Sequence, residues 1–160
     1  MCGIVAVVGK VGKEIVEGML RSIAHRGPND QATYEITGRI ALGIRRLSIM
    51  DVVHGRQPIV KAAAGLALVC NGEIYNHSAI RKASGASLDF ASGSDAEVIT
   101  YLYMRYGTDM LPLLDGMFAF ALYDNVRGDF LVGRDRFGIK PLYYMRKGNC
   151  LLYTSDAADE

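Results

Sequence analysis

The sequence has almost no net charge: 18 Lys and Arg against 17 Asp and Glu leave +1 over 160 residues. That balance supplies no electrostatic case for nucleic acid or for an anionic membrane surface. Cysteine is scarce. Cys2, Cys70 and Cys150 are too few and too scattered for a disulfide framework or a zinc site, which points to a reducing compartment. Long apolar runs are missing as well. Ile4–Val8 has no basic segment before it and is too short for a signal sequence or a membrane span, so the cytoplasm is the expected location. There is no internal repeat and no linker-like stretch, and half the residues are apolar, which fits one domain with a real core. Gly9-Lys10-Val11-Gly12-Lys13 fails as a phosphate loop, because the spacing is short and no Ser or Thr follows the Lys. His25, His54 and His77 have no metal-ligand spacing, so no metal site is expected.

Against these absences stands a cysteine at position 2. Removal of Met1 leaves Cys2 with a thiol and a free α-amine on one residue. An α-amine titrates near ~7.7–8.0, so roughly a tenth of it is neutral and able to accept a proton at pH 7. Nucleophile and general base can then be a single residue. Position alone favours the plainer reading, a small apolar residue at the start of a buried strand.

Apolar periodicity predicts the elements. Residues 3–8 form a buried strand, and Ile15, Val16, Met19, Leu20 and Ile23 recur at helical spacing up to His25-Arg26-Gly27-Pro28. Strands follow at 32–36, 40–44 and 66–70, then a short helix over 78–83 and a polar loop over 84–93. Ser94 and Glu97 form a capping box for a helix with Val98, Ile99, Leu102, Tyr103 and Tyr106 on one face. Strands at 117–123, 130–133, 142–145 and 151–153 complete the pattern, which requires layers of sheet and helix. Thr154–Glu160 has no core-forming pattern and is expected to lie outside the fold.

Several clusters could carry chemistry. Asn71-Gly72-Glu73 directly follows a strand: an amide donor, a residue that permits close backbone approach, and a negative charge. Taken alone, an Asn-Gly turn is the commoner reading. Asp95 in the first turn of a helix suits the macrodipole. Arg46 could hold a carboxylate bidentately, although a solvated Arg45-Arg46 pair is the plainer case. Arg134-Asp135-Arg136-Phe137-Gly138 reads as an ion-pair corner. Any of the three histidines could serve as base to Cys2 in a Cys–His hydrolase.

In order, these segments resemble the glutamine-hydrolysing domain of class II glutamine amidotransferases. The segments are Met1-Cys2-Gly3-Ile4, His25-Arg26-Gly27-Pro28, Arg46-Leu47-Ser48-Ile49, Asn71-Gly72-Glu73-Ile74-Tyr75-Asn76, Gly93-Ser94-Asp95, Gly116-Met117-Phe118-Ala119-Phe120 and residues 133–144. Gly27-Pro28 and Asn71-Gly72-Glu73 look like the asparagine synthetase branch. Asn29-Asp30 departs from the family, which has an acidic residue immediately after Gly-Pro. The resemblance implies an α+β fold of the N-terminal-nucleophile hydrolase type, a four-layer αββα sandwich of two antiparallel sheets over residues 1–153.

It also implies roles. Cys2 attacks the side-chain amide of L-glutamine, its own amine relays the proton, and Asn71 with Gly72 forms the oxyanion hole. Arg46 takes the α-carboxylate, Glu73 and Asp95 take the α-ammonium, and Leu47, Ser48, Ile49 and Met50 line the pocket. The half-reaction needs no metal or organic cofactor; ATP and Mg are expected only in a synthetase domain. No Ser-Gly-Gly-x-Asp pyrophosphate loop occurs here, and residues 154–160 do not match the family. The chain is therefore expected to be a fragment whose C-terminal synthetase domain is absent, with a homodimer left open for a full-length protein. A glutaminase half with another acceptor, a regulatory glutamine-binding domain and an inert fragment remain alternatives.

Overall fold

The strand predicted at the start of the chain forms as β1 (Gly3–Val8), and its side chains alternate between two different apolar layers. The computed structural model describes residues 2–10, 13–36, 38–47, 56–85, 90–148 and 150–155. After β1 come α1 (Lys13–Ser22), β2 (Asp30–Ile36), β3 (Ile40–Arg46), β4 (Ile59–Lys61) and β5 (Leu66–Ile74). They are followed by α2 (His77–Ser84), α3 (Glu97–Tyr106), β6 (Gly116–Asp124), β7 (Asp129–Arg134), β8 (Tyr143–Lys147) and β9 (Cys150–Thr154).

The strands make two sheets, ordered β2-β3-β1-β9-β8 and β4-β5-β6-β7, and all neighbours pair antiparallel. Period-2 alternation then divides the core into three layers. Val5 and Val7 pack with Val16, Leu20 and Ile23 under α1. Ile4, Ala6, Leu42 and Ile44 face Ala67, Val69, Ala121 and Tyr123 across the gap between the sheets. Leu68, Phe118, Phe120 and Leu122 pack beneath Val98, Ile99 and Leu102 of α3. Helix, sheet, sheet, helix is the expected four-layer sandwich. Both sheets are covered on both faces, which is why their central strands read as nearly continuous apolar runs.

Four local expectations change. Asn71-Gly72-Glu73 does not follow a strand but lies within β5, paired with Ala119, Phe118 and Met117 of β6. Ile15 is half exposed rather than on the packed face of α1. Tyr106 is likewise exposed at the end of α3. The capping box is not made as such. Ala96 occupies the N-cap position without a side-chain cap, and the Glu97 carboxylate reaches past Ser94 to the amides of Ala91 and Ser92. No helix among the described residues is long and apolar enough to cross a membrane.

Candidate active site

Pairing of β1 with β3 puts Gly3 opposite Arg45, so Cys2 arrives beside the end of β3. The Leu47 N–H donates to Cys2 Sγ at 3.4 Å, and Sγ lies 3.7 Å from the Leu47 carbonyl oxygen. Arg46, between those partners, is buried to 6% exposure. Its backbone is braced from outside: Pro28 bridges Arg46, and the Asn29 N–H donates to the Arg46 carbonyl at 3.2 Å. A Cβ on residue 27 would overlap the Arg45–Arg46 backbone, so this approach needs Gly27. The Arg45-Arg46 pair is not solvated in the plain sense, since Arg45 Nε also donates to the Leu20 carbonyl at 3.0 Å.

The second sheet supplies the facing wall. At Gly72 the φ angle is +135°, and a Cβ there would overlap the Met117 carbonyl oxygen. The position is therefore open to glycine alone, and the Asn-Gly pair marks a distortion inside β5 rather than a hairpin turn. Asp95, exposed to 8%, accepts the Ile74 N–H at 2.6 Å and so ties the segment before α3 to the end of β5.

That segment is held by Glu97. Its carboxylate accepts the Ala91 N–H at 2.8 Å, the Ser92 N–H at 2.9 Å and the Ser92 hydroxyl at 2.7 Å, and it pairs with the Lys61 ammonium. Arg81 stands 3.7 Å away and donates to the Ser94 carbonyl at 2.6 Å. Burial by itself pushes the Glu97 carboxyl up, but hydrogen bonds from Lys61, Ser92 and Ala91 and the Lys61 charge outweigh it, and the net shift is downward.

These parts meet in a cavity of about 490 Å³ lined by Cys2, Arg46, Leu47, Asn71, Gly72, Glu73 and Asp95. The volume is that of a small-molecule site. Every described residue to which the resemblance gives a role is therefore in one place; Ser48, Ile49 and Met50 lie outside the described residues. A larger open groove of about 1000 Å³ beside α3 and β7 holds none of them. Its Asp124 is committed to the Val126 and Arg127 N–H groups and the Tyr103 hydroxyl.

The cavity also contains residues to which the resemblance gave no role. Lys140 lines it, buried, so the charges are two cations and two anions rather than one and two. The corner that presents Lys140 is not an ion pair. The Asp135 carboxylate takes the N–H groups of Phe137, Ile139 and Lys140 at 3.1, 2.9 and 2.9 Å. Arg134 donates to the Lys140 and Gly138 carbonyls at 2.8 and 2.7 Å. Burial raises Asp135, yet the backbone N–H groups hold it below its ordinary value.

Gln57 brackets the residue before Asn71, accepting the Cys70 N–H at 2.6 Å and donating to the Cys70 carbonyl at 3.1 Å. The Cys70 thiol is pushed well up by burial, and further by the charges of Asp95 and Cys2, so it stays protonated and unreactive. Ser155, expected outside the fold, is 1% exposed next to the last residue of β9, with its hydroxyl 3.2 Å from Asn71 Nδ2. Of the histidines a Cys–His hydrolase needs, His25 and His77 do not line the cavity, and His54 lies outside the described residues. Among the described residues no group of three or more His, Cys, Asp or Glu is placed to hold a metal ion.

A family model described as a glutamine amidotransferase domain matches residues 1–159. The chain belongs to that family. This amidotransferase domain is 36% identical, over 98% of its length, to asparagine synthetase [glutamine-hydrolyzing] 2 of Bacillus subtilis, and covers 22% of that protein. It is 47% identical over 77% of its length to asparagine synthetase B [glutamine-hydrolyzing] of Escherichia coli, again covering 22%. With asparagine synthetase [glutamine-hydrolyzing] 3 of Arabidopsis thaliana it shares 42% identity over 89% of its length and covers 25%. The amidotransferase domain thus spans about a quarter of the length of these curated relatives. Its fold is shared with a glutamine phosphoribosylpyrophosphate amidotransferase from B. subtilis: TM-score 0.79 at 20% identity, over 96% of this chain and 42% of that one. The fold is accordingly that of this solved amidotransferase.

Proposed function

We propose that this domain hydrolyses the side-chain amide of L-glutamine through a thioester on Cys2, supplying ammonia to a synthetase portion that aminates aspartate. The observation that carries the reading is the convergence, in one cavity, of the Cys2 thiol from one sheet with Asn71, Gly72 and Glu73 from the other, flanked by Arg46 and Asp95. Once Met1 is removed, the Cys2 amine accepts the thiol proton as sulfur attacks the amide carbon. The oxyanion is held by the Asn71 side chain and the Gly72 N–H. Collapse passes the proton to the leaving nitrogen, releasing ammonia and leaving the γ-glutamyl thioester. Water then adds with the same amine as base, and the thiol leaves with glutamate formed.

The charges give the substrate its identity. Arg46 pairs with the α-carboxylate, Glu73 and Asp95 with the α-ammonium, and Leu47 lines the pocket beside them. A glutamine inside a peptide has neither charge and forgoes both pairings, a penalty of several kcal/mol. This half-reaction calls on no metal or organic cofactor; ATP and Mg²⁺ belong to the synthetase portion. The identities to glutamine-hydrolysing asparagine synthetases support aspartate as acceptor.

The test compares the chain with Met1 removed, verified by mass, with a form that retains it. The processed chain releases glutamate and ammonia in equal amounts and the retained form is silent. Equal turnover by both forms would instead point to a Cys–His hydrolase, and no glutamate from the processed chain would sink the proposal. For the acceptor, the domain replaces the corresponding part of the E. coli synthetase, and glutamine-dependent asparagine formation is measured. Asn71→Ala lowers glutamate release about 10²–10³-fold, as loss of one oxyanion donor does.

A further inference from the structure

We infer that Ser155 is a positioning residue that aims the Asn71 amide at the reacting carbonyl and locks it to the strand bearing the nucleophile. The inference rests on the glutaminase reading and adds a residue to it. Ser155 Oγ accepts the Ile4 N–H at 2.9 Å and lies 3.2 Å from Asn71 Nδ2, at a site exposed to 1%. A backbone N–H can only donate, so the hydroxyl oxygen is an acceptor there. Asn71 Nδ2 donates to the second lone pair of the same oxygen, so the amino end of the carboxamide is the end held by Ser155.

Selection matters because the terminal torsion of an asparagine is soft, and a flipped amide would present an acceptor to a developing negative charge. With one N–H occupied by Ser155, the other is left for the oxyanion, at no reorganisation cost during reaction. The serine is itself fixed, since its N–H donates to the Ile4 carbonyl at 3.1 Å, just beyond the Val5–Thr154 pair of β1 and β9. Ile4 is two residues from Cys2. One hydroxyl therefore joins the nucleophile strand of the first sheet to the oxyanion donor of the second.

The test uses the Met-processed chain and a double-mutant cycle. Ser155→Ala lowers kcat for glutamate release about 10- to 100-fold and leaves the KM for glutamine within about threefold, because no substrate charge is touched. In an Asn71→Ala background the same change costs less than about threefold, since there is no amide left to aim. Unchanged kcat in Ser155→Ala overturns the inference, and so does an equal loss with and without Asn71, the mark of a merely structural role. Should the alanine chain fail to fold, Ser155→Cys fills the same space with a weak acceptor and is read by the same criteria. A parent chain without glutaminase activity would bring down the functional reading; an active parent with an indifferent Ser155→Ala brings down this inference alone.

Discussion

Replacing Cys2 with alanine in the Met-processed chain stops glutamate release, by at least about 10³-fold, while glutamine still binds within a few-fold of the parent affinity. Activity falls so far because no other group can take over. The second thiol of the cavity, Cys70, is kept protonated by burial and by the negative charges near it. Neither His25 nor His77 lines the cavity. Binding survives because the groups proposed to recognise glutamine, Arg46, Glu73 and Asp95, are anchored by contacts that do not involve sulfur: the Pro28 bridge and the Ile74 N–H among them. Calorimetric titration with glutamine beside a glutamate assay separates the two effects. An alanine chain with parental turnover would remove Cys2 from the mechanism.

The second large effect is expected at Glu97, which touches no ligand. Glu97→Ala removes the Lys61–Glu97 ion pair and takes the acceptor from two backbone N–H groups and the Ser92 hydroxyl. Breaking a buried pair in this way costs about 3–5 kcal/mol, and the lower end applies because Lys61 and Arg81 retain some access to water. The segment carrying Asp95 loosens with it, so the KM for glutamine rises more than kcat falls. The effect also carries a pH signature. Glu97 has a lowered carboxyl pKa in the fold. Its contribution is therefore present above the unfolded glutamate value near ~4.3 and is lost as pH falls through the lower folded value. Urea unfolding between pH 7 and pH 3 shows the parent losing stability in that acid window. Glu97→Gln, which keeps the shape without the charge, loses less there and approaches the parent at the acid end. Some slope persists in the variant because Asp135 is shifted in the same direction. Parallel curves for parent and Glu97→Gln would exclude the carboxylate as the source.

What could be read beforehand follows the reach of each signal. Alternation and apolar runs are local, and they foretold β1, β3, β6 and the layer scheme. The ordered motifs foretold the contributors to the cavity that bear motif residues. Asn71-Gly72-Glu73 reads as following a strand because its residues are poor strand formers; pairing with β6 on one side overrides that preference. The Ser94–Glu97 spacing does reflect a carboxylate reaching back before a helix, but Lys61, brought near by a three-residue strand, draws it further. Gln57 and Ser155 lie outside every motif, Lys140 lies in one without a role, and each enters the site through contacts set by tertiary packing. Ser155 is the clearest case: its hydroxyl meets an amide 84 residues away, a separation that no periodicity encodes.

Three fully buried alanines in the gap between the sheets acquire a purpose from where the cavity lies. Cys2 and Arg46 belong to one sheet and Asn71 to Glu73 to the other, so neither sheet alone holds half of a working machine. Ala6, Ala67 and Ala121, all fully buried, set how closely the two slabs approach. They act as shims, and the distance across the cavity, from the Cys2 sulfur on one side to the Asn71 amide on the other, is cut by their smallness.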